Sequence, residues 1–183
     1  MRRLKDVALV ILLVSFGIPV FGDNPRSITL GGDESLRVES MSSTIDILED
    51  PTGKLDIAAV STGSAASGFV AGTAENTNIG FSRSAWWVRF GVANGSTEYR
   101  RVYLRQGYPL IDALEVYTPA KEGWHRYVTG DRTPFDTRPV GLRDFLFPID
   151  LPPSSEAVVY ARFASQGPVD INLSLLGADQ LVV

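Results

Sequence analysis

From residue 85 onwards, apolar and polar positions alternate along the chain with a period of two. One face of the segment 85–92 carries Trp86, Val88, Phe90 and Val92, whereas the other carries Trp87 and Arg89. Such alternation is typical of a half-buried β-strand, because successive side chains point to opposite faces of a sheet. The same pattern, with turn signals such as Asn94-Gly95-Ser96 between segments, recurs at 101–105, 113–118, 124–128, 145–149, 157–163 and 169–175.

The N-terminal half is less regular. Short alternating pieces occur at 36–38 and 45–47, and a turn with Pro and Gly follows at 49–53. The segment 55–60 fits one or two helical turns. Residues 61–78 are rich in Ser, Gly, Ala, Thr and Asn, which predicts a long surface loop or an extended segment that crosses one end of the fold.

These elements together indicate the fold class. Several short strands, separated by turn signals roughly every 8–12 residues and accompanied by almost no helical periodicity, predict an all-β antiparallel fold. A β-sandwich is the simplest such arrangement, although the pattern alone does not distinguish it from a closed barrel.

The first 22 residues predict a secretory signal peptide, with cleavage after Gly22. A basic start precedes an apolar run, and small or permissive residues stand before the cleavage position. The alternative is a membrane anchor, but the apolar stretch ends at Phe21 and is too short to span a bilayer core of about 30 Å comfortably. Export of a chain without cysteine fits the periplasm or the surface of a bacterium.

Composition narrows the chemistry that the chain can carry. The absence of cysteine excludes disulfide scaffolds, thiolate zinc sites, iron–sulfur clusters and cysteine nucleophiles, and His125 is the single histidine. A net charge of −4 argues against nucleic acid as a partner. Calcium is bound by carboxylate oxygens, and the candidate ligands are Asp112, Glu122, Asp131 and Asp136. The sequence contains no D-x-D-x-D-G run, which would indicate a calcium-binding loop. A glycoside hydrolase would need a distinguished pair of carboxylates, and no pair stands out.

The polar faces of the predicted strands mix aromatic and charged side chains. These outward positions are Trp87, Arg89, Tyr103, Arg105, Glu115, Tyr117, Tyr160 and Arg162. Aromatic rings can stack on the C–H faces of sugars while arginines and carboxylates meet their hydroxyl groups, so this face suits a carbohydrate ligand. The alternative is that the aromatics pack under loops and that the Arg–Glu pairs only solvate the sheet. Trp124 and His125 either line a pocket or simply lie on a strand.

Several segments, in their order and spacing, resemble a known bacterial family. They are residues 45–55, 79–82, 85–90, 108–112, 116–117, 130–131, 134–135, 138–139, 145–148 and 160–162, with Asn94, Trp124, Arg143, Ser165 and Gly167. Across roughly residues 40–176 the chain is similar to the type 2 extracellular sensor domain of seven-transmembrane receptors with diverse intracellular signalling modules.

The resemblance implies a jelly-roll β-sandwich like that of carbohydrate-binding modules, held in the periplasm ahead of a seven-helix membrane domain. It implies a non-enzymatic domain without cofactor or metal, whose ligand is a carbohydrate or a similar small molecule. The receptor would drive a histidine kinase or a diguanylate cyclase.

The same resemblance indicates which residues bind the ligand. The matching positions are Trp87, Arg89, Asp112, Tyr117, Arg138 and Arg143. Trp87 would stack on the ligand, the arginines would donate hydrogen bonds and Asp112 would accept one. Alternatively, three of these residues do not contact the ligand and instead hold loops to the sheet by buried ion pairs. These three are Asp112, Arg138 and Arg143.

The chain divides into a signal peptide (1–22), an N-terminal extension or first strand (23–39), the sensor β-sandwich (40–176) and a C-terminal segment (177–183). That last segment would lead to a membrane domain absent from this chain, which makes the chain a receptor fragment. Alternatively, it is a stand-alone secreted carbohydrate-binding or protein-interaction module. Membrane contact would arise only through a receptor region beyond Val183, and the outward aromatic face offers a surface for a second copy or a receptor partner.

Overall fold

The computed structural model describes residues 24–31 and 37–181, and the predicted signal peptide lies outside the described residues. Strands dominate the described part. They are β1 (Ser27–Leu30), β2 (Arg37–Val38), β3 (Asp46–Asp50), β4 (Val70–Ala71), β5 (Asn78–Phe81), β6 (Ala85–Asn94), β7 (Arg100–Gln106), β8 (Ala113–Pro119), β9 (Trp124–Thr129), β10 (Phe145–Leu151), β11 (Ser155–Ala164), β12 (Pro168–Asp170) and β13 (Leu173–Gly177). The α-helices are α1 (Ile57–Ser61) and α2 (Ala74–Thr77), and 3-10 turns occur at Ala66–Gly68, Phe135–Thr137 and Ala178–Gln180.

Two main sheets organise these strands. The larger sheet has seven strands in the order β4-β3-β6-β11-β8-β9, with β1 added beside β6. The smaller sheet has the order β10-β7-β13-β2, and β12 pairs separately with β5. Among the described strands every pairing is antiparallel except that of β1 with β6. The all-β antiparallel fold is therefore confirmed, whereas the jelly-roll connectivity stays a prediction.

The hydrophobic core lies between the two main sheets. The larger sheet contributes Phe90 from β6 and Phe163 from β11, and the smaller sheet contributes Phe147 from β10. All three rings are fully buried, and the burial of each stabilises the fold by roughly 1.5–3 kcal/mol. The apolar face predicted for residues 85–92 is thus the face that packs in the core.

The single strand predicted at 169–175 is wrong in its continuity, because the structure divides the segment into β12 and β13. β12 pairs with β5, whereas β13 pairs with β7 and β2. At the division, the Ile171 N–H donates to the Thr77 carbonyl, and the Asn172 carbonyl accepts the Gly107 N–H. Side-chain alternation continues through the break, so the sequence pattern does not reveal the change of partner.

The prediction at 61–78 is confirmed in its surface position, since most of these residues are exposed, but the segment is not a plain loop. It contains the end of α1, a 3-10 turn, β4 and α2. Gly72 shows why a small residue is needed at one point of this segment. Its N–H donates to the Ile45 carbonyl at 2.9 Å, and a Cβ at this position would lie only 2.4 Å from the Ser42 carbonyl oxygen.

Candidate ligand-binding site

An aromatic cluster occupies the outer face, which is the face of the larger sheet turned away from the core. Trp87 of β6, Tyr117 of β8 and Tyr160 of β11 are buried there together with Val60 of α1. The rings of Trp87 and Tyr117 stack with their centroids 5.8 Å apart. Residues 55–69, the cover segment, supply Val60 and several partly buried apolar side chains that pack on this cluster.

The alternation places Trp87 and Tyr117 on the correct face, but their expected exposure is wrong. Trp87 is 0% and Tyr117 is 6% exposed, because the cover segment shields them from solvent. This arrangement agrees with the alternative that outward aromatics pack under loops. Ligand contact by Trp87 stays a prediction, and it would require the cover segment to move.

Arg89 is buried on the same face and joins the sheet to the cover segment. Its Nε donates to Asp46 Oδ2 at 3.1 Å, and its Nη1 donates to the Ala66 carbonyl at 3.0 Å. Its guanidinium carbon lies 4.5 Å from the centroid of the Phe69 ring. These contacts use the planar donors of Arg89 within the protein, so the observed role of this side chain is structural.

A second feature of the outer face, the charged cleft, is a cavity of about 460 Å³ beside the cover segment. It is lined by Gly53, Leu55, Asp56, Ile57, Glu115, Tyr117, Arg126 and Arg162. Glu115 accepts hydrogen bonds from the Tyr117 hydroxyl at 2.5 Å and from Arg126 Nε at 2.9 Å. Arg162 donates to Glu115 at 3.2 Å and to the Gly53 carbonyl at 2.9 Å. Arg162 therefore ties the turn before the cover segment to the sheet.

The charged cleft holds Glu115 ionised and Tyr117 protonated. Burial by itself raises the pKa of Glu115, but the Tyr117 hydroxyl and the two arginines lower it below its ordinary value. Burial, followed by the hydrogen bond to Glu115, raises the pKa of Tyr117 to about 12. The network is consequently stable in its charged form at neutral pH.

Acid is expected to remove the contribution of Glu115 to stability. Because the folded pKa of Glu115 lies below its ordinary value of 4.5, the unfolded chain binds more protons in acid. The stabilisation is fully present above pH 4.5 and is lost as the pH falls through the folded pKa. Urea unfolding measures the free energy of unfolding of wild type and of Glu115→Gln. The difference between the two should become smaller as the pH falls from about 7 to about 3.

The control for this titration is Glu122→Gln, since Glu122 is exposed in the turn between β8 and β9. Its difference from wild type should stay small at every pH. A Glu115→Gln difference of equal size at neutral and acid pH would contradict the charged network.

The remaining sequence-predicted residues lie in loops. Asp112, before β8, pairs with Arg132 at 3.2 Å and accepts the Gln166 N–H at 2.7 Å. Arg138, between β9 and β10, donates to the carbonyl of Leu142 at 2.8 Å and also to that of Arg143. Asp112 and Arg138 thus hold loops together, but neither does so by the buried ion pair of the alternative, because Asp112 pairs with the exposed Arg132 and Arg138 binds carbonyls.

Arg143 lies elsewhere, on the side of the smaller sheet. It is exposed and lines a cavity of about 440 Å³ together with Arg105, Asp144 and the C-terminal residues Gln180 and Leu181. The structure therefore brings together Trp87, Arg89 and Tyr117, but it does not gather all six predicted residues at one cavity.

A third cavity, the edge cavity, has the composition of a ligand site. It measures about 630 Å³ and lies where β3 and β6 meet β4, α2 and β5. Its walls are Ile47, Leu48, Glu49, Gly68, Val70, Asn76, Asn78, Ile79 and Trp86. Ligand pockets are typically 300–1,000 Å³ and mostly apolar with a few polar groups, which is the composition found here.

Trp86 and Glu49 are adjacent residues in the lining of the edge cavity. They are directly opposite each other in the antiparallel pair of β3 and β6, so their side chains are neighbours on one face. The Trp86 indole N–H donates to Ser82 Oγ at 3.2 Å, and Glu49 Oε1 accepts from the Ser84 hydroxyl at 2.6 Å. These two contacts orient the ring and the carboxylate before any ligand arrives.

The far wall of the edge cavity is also held in place. Asn76 completes a capping box at the start of α2, with the Thr73 N–H donating to Asn76 Oδ1 at 2.6 Å. Its Nδ2 donates to the Ala71 carbonyl at 2.9 Å. Sequence reasoning missed this site, because it assigned Trp86 to the core face and left Asn76 and Asn78 in a loop. The signal that could have indicated this site is the position of Trp86 at the beginning of β6. A ring on the core face at the end of a strand lies at the margin of the core, where it is only partly buried.

Comparison with known proteins agrees with the resemblance. A family model described as 7TMR-DISM extracellular 2 matches residues 42–177. No curated protein matches the chain. Within residues 24–31 and 37–181, no helix has the length and apolarity needed to cross a membrane. The chain belongs to the 7TMR-DISM extracellular 2 family and is an extracellular sensor domain of a receptor.

Proposed function

We propose that this domain senses a carbohydrate, or a similar small hydroxylated molecule, by binding it in the edge cavity. The observation that carries the proposal is the pairing of Trp86 with Glu49 on one face of the sheet, inside an apolar cavity. The domain would act in the periplasm and regulate a histidine kinase or a diguanylate cyclase on the other side of the membrane.

The chemistry of the cavity fits such a ligand. The C–H face of a sugar ring can pack on Trp86 and on the apolar walls supplied by Ile79 and Val70. The Glu49 carboxylate and the exposed Asn78 amide belong to the lining, and both can form hydrogen bonds with the hydroxyl groups of a sugar. Because hydrogen bonds already orient Trp86 and Glu49, little ordering entropy is lost on binding.

The same lining supports binding rather than glycoside hydrolysis. Glycoside hydrolysis ordinarily needs two carboxylates that flank the scissile bond. Glu49 is the single carboxylate among the residues that line the edge cavity. We therefore propose a sensing role for the domain.

Signalling would arise from the segments that the ligand joins. β3 and β6 belong to the larger sheet, whereas Asn76 and Asn78 belong to α2 and β5 at its margin. A ligand held between them favours the receptor state in which the cavity has this shape, and it does so only by its difference in affinity between receptor states.

Substitution of Trp86 by alanine is expected to weaken ligand binding at least about tenfold, which corresponds to ~1.4 kcal/mol. The ligand is first identified by calorimetric screening of neutral, amino and acidic sugars against the purified protein. Trp124→Ala is the matched control, because Trp124 packs against Tyr160 on the outer face, with ring centroids 5.3 Å apart.

A second variant, Val70→Trp, guards against loss of folding in Trp86→Ala. Val70 is 59% exposed at the rim of the edge cavity, so a larger side chain can be accommodated while it obstructs entry. Folded Trp86→Ala and Val70→Trp proteins that bind the ligand as tightly as wild type would overturn the proposed function.

A further inference from the structure

We infer that the edge cavity selects its ligand by charge, accepting neutral or amino-bearing hydroxylated molecules and rejecting those that carry a carboxylate or phosphate. This inference rests on the proposed function and deepens it, because it names the ligand class that the same cavity admits.

The first observation is the charge of the lining. Glu49 is the single charged side chain among the nine residues that line the cavity, and its neighbours on the wall are amides, aliphatic side chains, glycine and the Trp86 indole. Carboxylates in the sugar or organic-acid ligands of other proteins are commonly bound by arginine. No such donor belongs to this lining.

The second observation is the unused capacity of the Glu49 carboxylate. The Ser84 hydroxyl occupies Oε1 at 2.6 Å. An ionised carboxylate has about four acceptor positions, so it can still accept hydrogen bonds from hydroxyl or ammonium groups of a ligand. A ligand carboxylate has no proton to donate at neutral pH, and it would face Glu49 with like charge.

The third observation is the charge of the surrounding strand. Asp46 pairs with Arg89 at 3.1 Å and with Arg26 at 3.6 Å, whereas Asp50 receives hydrogen bonds from Thr52 and from backbone N–H groups. Burial acts to raise the pKa of Asp50, yet these hydrogen bonds lower it below its ordinary value, so Asp50 remains ionised. Both residues alternate with Glu49 along β3 and so lie on the opposite face of the strand, which leaves Glu49 as the carboxylate of β3 in the cavity lining.

Two other charged side chains flank the cavity in sequence. Arg83 lies in the loop before β6, exposed and outside the lining, and Glu75 is exposed in the first turn of α2 beside Asn76. Glu49 belongs to the lining and is adjacent to Trp86, so it is the charge that a ligand stacked on Trp86 meets most directly.

The first experimental arm uses sugars that share a ring and differ in charge. Glucose, glucosamine and glucuronate, and the corresponding galactose series, are titrated into the purified protein by calorimetry at low and moderate salt. We expect the uronate to bind at least about tenfold more weakly than the amino sugar, and this ratio of affinities should shrink as salt is added. At fixed salt the ratio should be severalfold smaller in Glu49→Gln than in wild type, whereas Glu122→Gln should leave it unchanged.

The second arm requires no bound sugar. Nitroxide radicals that carry either an ammonium or a carboxylate group are added separately, and the relaxation of the Trp86 indole proton and of the Asn76 and Asn78 amide protons is measured by NMR. The ammonium radical should relax these protons about twofold more strongly than the carboxylate radical, and the ratio should fall towards one in Glu49→Gln.

The two arms separate the inference from the proposed function. Equal or tighter binding of uronates, or equal relaxation by both radicals, would overturn the charge selection. If no sugar binds while the ammonium radical still dominates, the carbohydrate proposal fails and the electrostatic character of the cavity stands.

Discussion

Replacement of Arg89 by methionine is expected to lower the free energy of unfolding by about 3–5 kcal/mol. Arg89 is 5% exposed, and its loss leaves the buried Asp46 carboxylate with Arg26, at 3.6 Å, as its one ionic partner among the described residues. The substitution also removes the hydrogen bond to the Ala66 carbonyl and the contact with Phe69. Urea unfolding monitored by tryptophan fluorescence and by circular dichroism measures the change.

The matched control is Arg101→Met. Arg101 forms a bidentate pair with Asp150 at 2.6 and 3.0 Å, but both side chains are about half exposed. Solvent and salt screen such a pair, so we expect little change in the unfolding midpoint. If Arg89→Met unfolds at the wild-type denaturant concentration and instead loses ligand affinity, then Arg89 is a ligand contact rather than a structural tie.

Substitution of Trp87 by alanine is also expected to lower the free energy of unfolding by about 3–5 kcal/mol, because it opens a large cavity between the sheet and the cover segment. Trp87 is fully buried and stacks on Tyr117. Its indole N–H has no hydrogen-bond acceptor among the described residues. Trp87→Phe should therefore cost much less than Trp87→Ala, since phenylalanine restores part of the volume and removes an unsatisfied donor.

Hydrogen exchange tests where the damage from Trp87→Ala falls. Amides of the cover segment and of Tyr117 and Tyr160 should lose protection first, because these groups pack on the missing ring. Uniform loss of protection through both sheets, or equal stability of the alanine and phenylalanine variants, would contradict the role of Trp87 as the centre of the aromatic cluster.

Alternation predicted the central strands because their two faces meet different surroundings. In β6, Val88 and Phe90 face the core while Trp87 and Arg89 lie on the outer face, and a period of two records that difference directly. The same signal does not say what covers the outer face. Its cover comes from residues 55–69, whose apolar side chains, such as Leu55, Val60 and Phe69, are separated by small and polar residues and give no period of two.

The candidate site was less predictable than the fold, because long-range pairing assembles it. Glu49 and Trp86 are 37 positions apart and become neighbours only through the register of β3 with β6. Asn76 reaches the same cavity through a capping box that appears as loop composition in the sequence. The buried pair of Arg89 and Asp46 is likewise a product of this register, so burial, rather than residue type, decides which arginine is structural.

The most direct test of ligand binding in the edge cavity is the NMR response of the three tryptophan indoles. Each indole resonance is assigned with a Trp→Phe variant, and the sugar that binds in the calorimetric screen is titrated into the protein. We expect the Trp86 resonance to shift and to saturate with the calorimetric affinity, while those of Trp87 and Trp124 stay in place. A saturating shift of Trp87 or Trp124 with an unmoved Trp86 resonance would contradict binding in the edge cavity and place the ligand on the outer face.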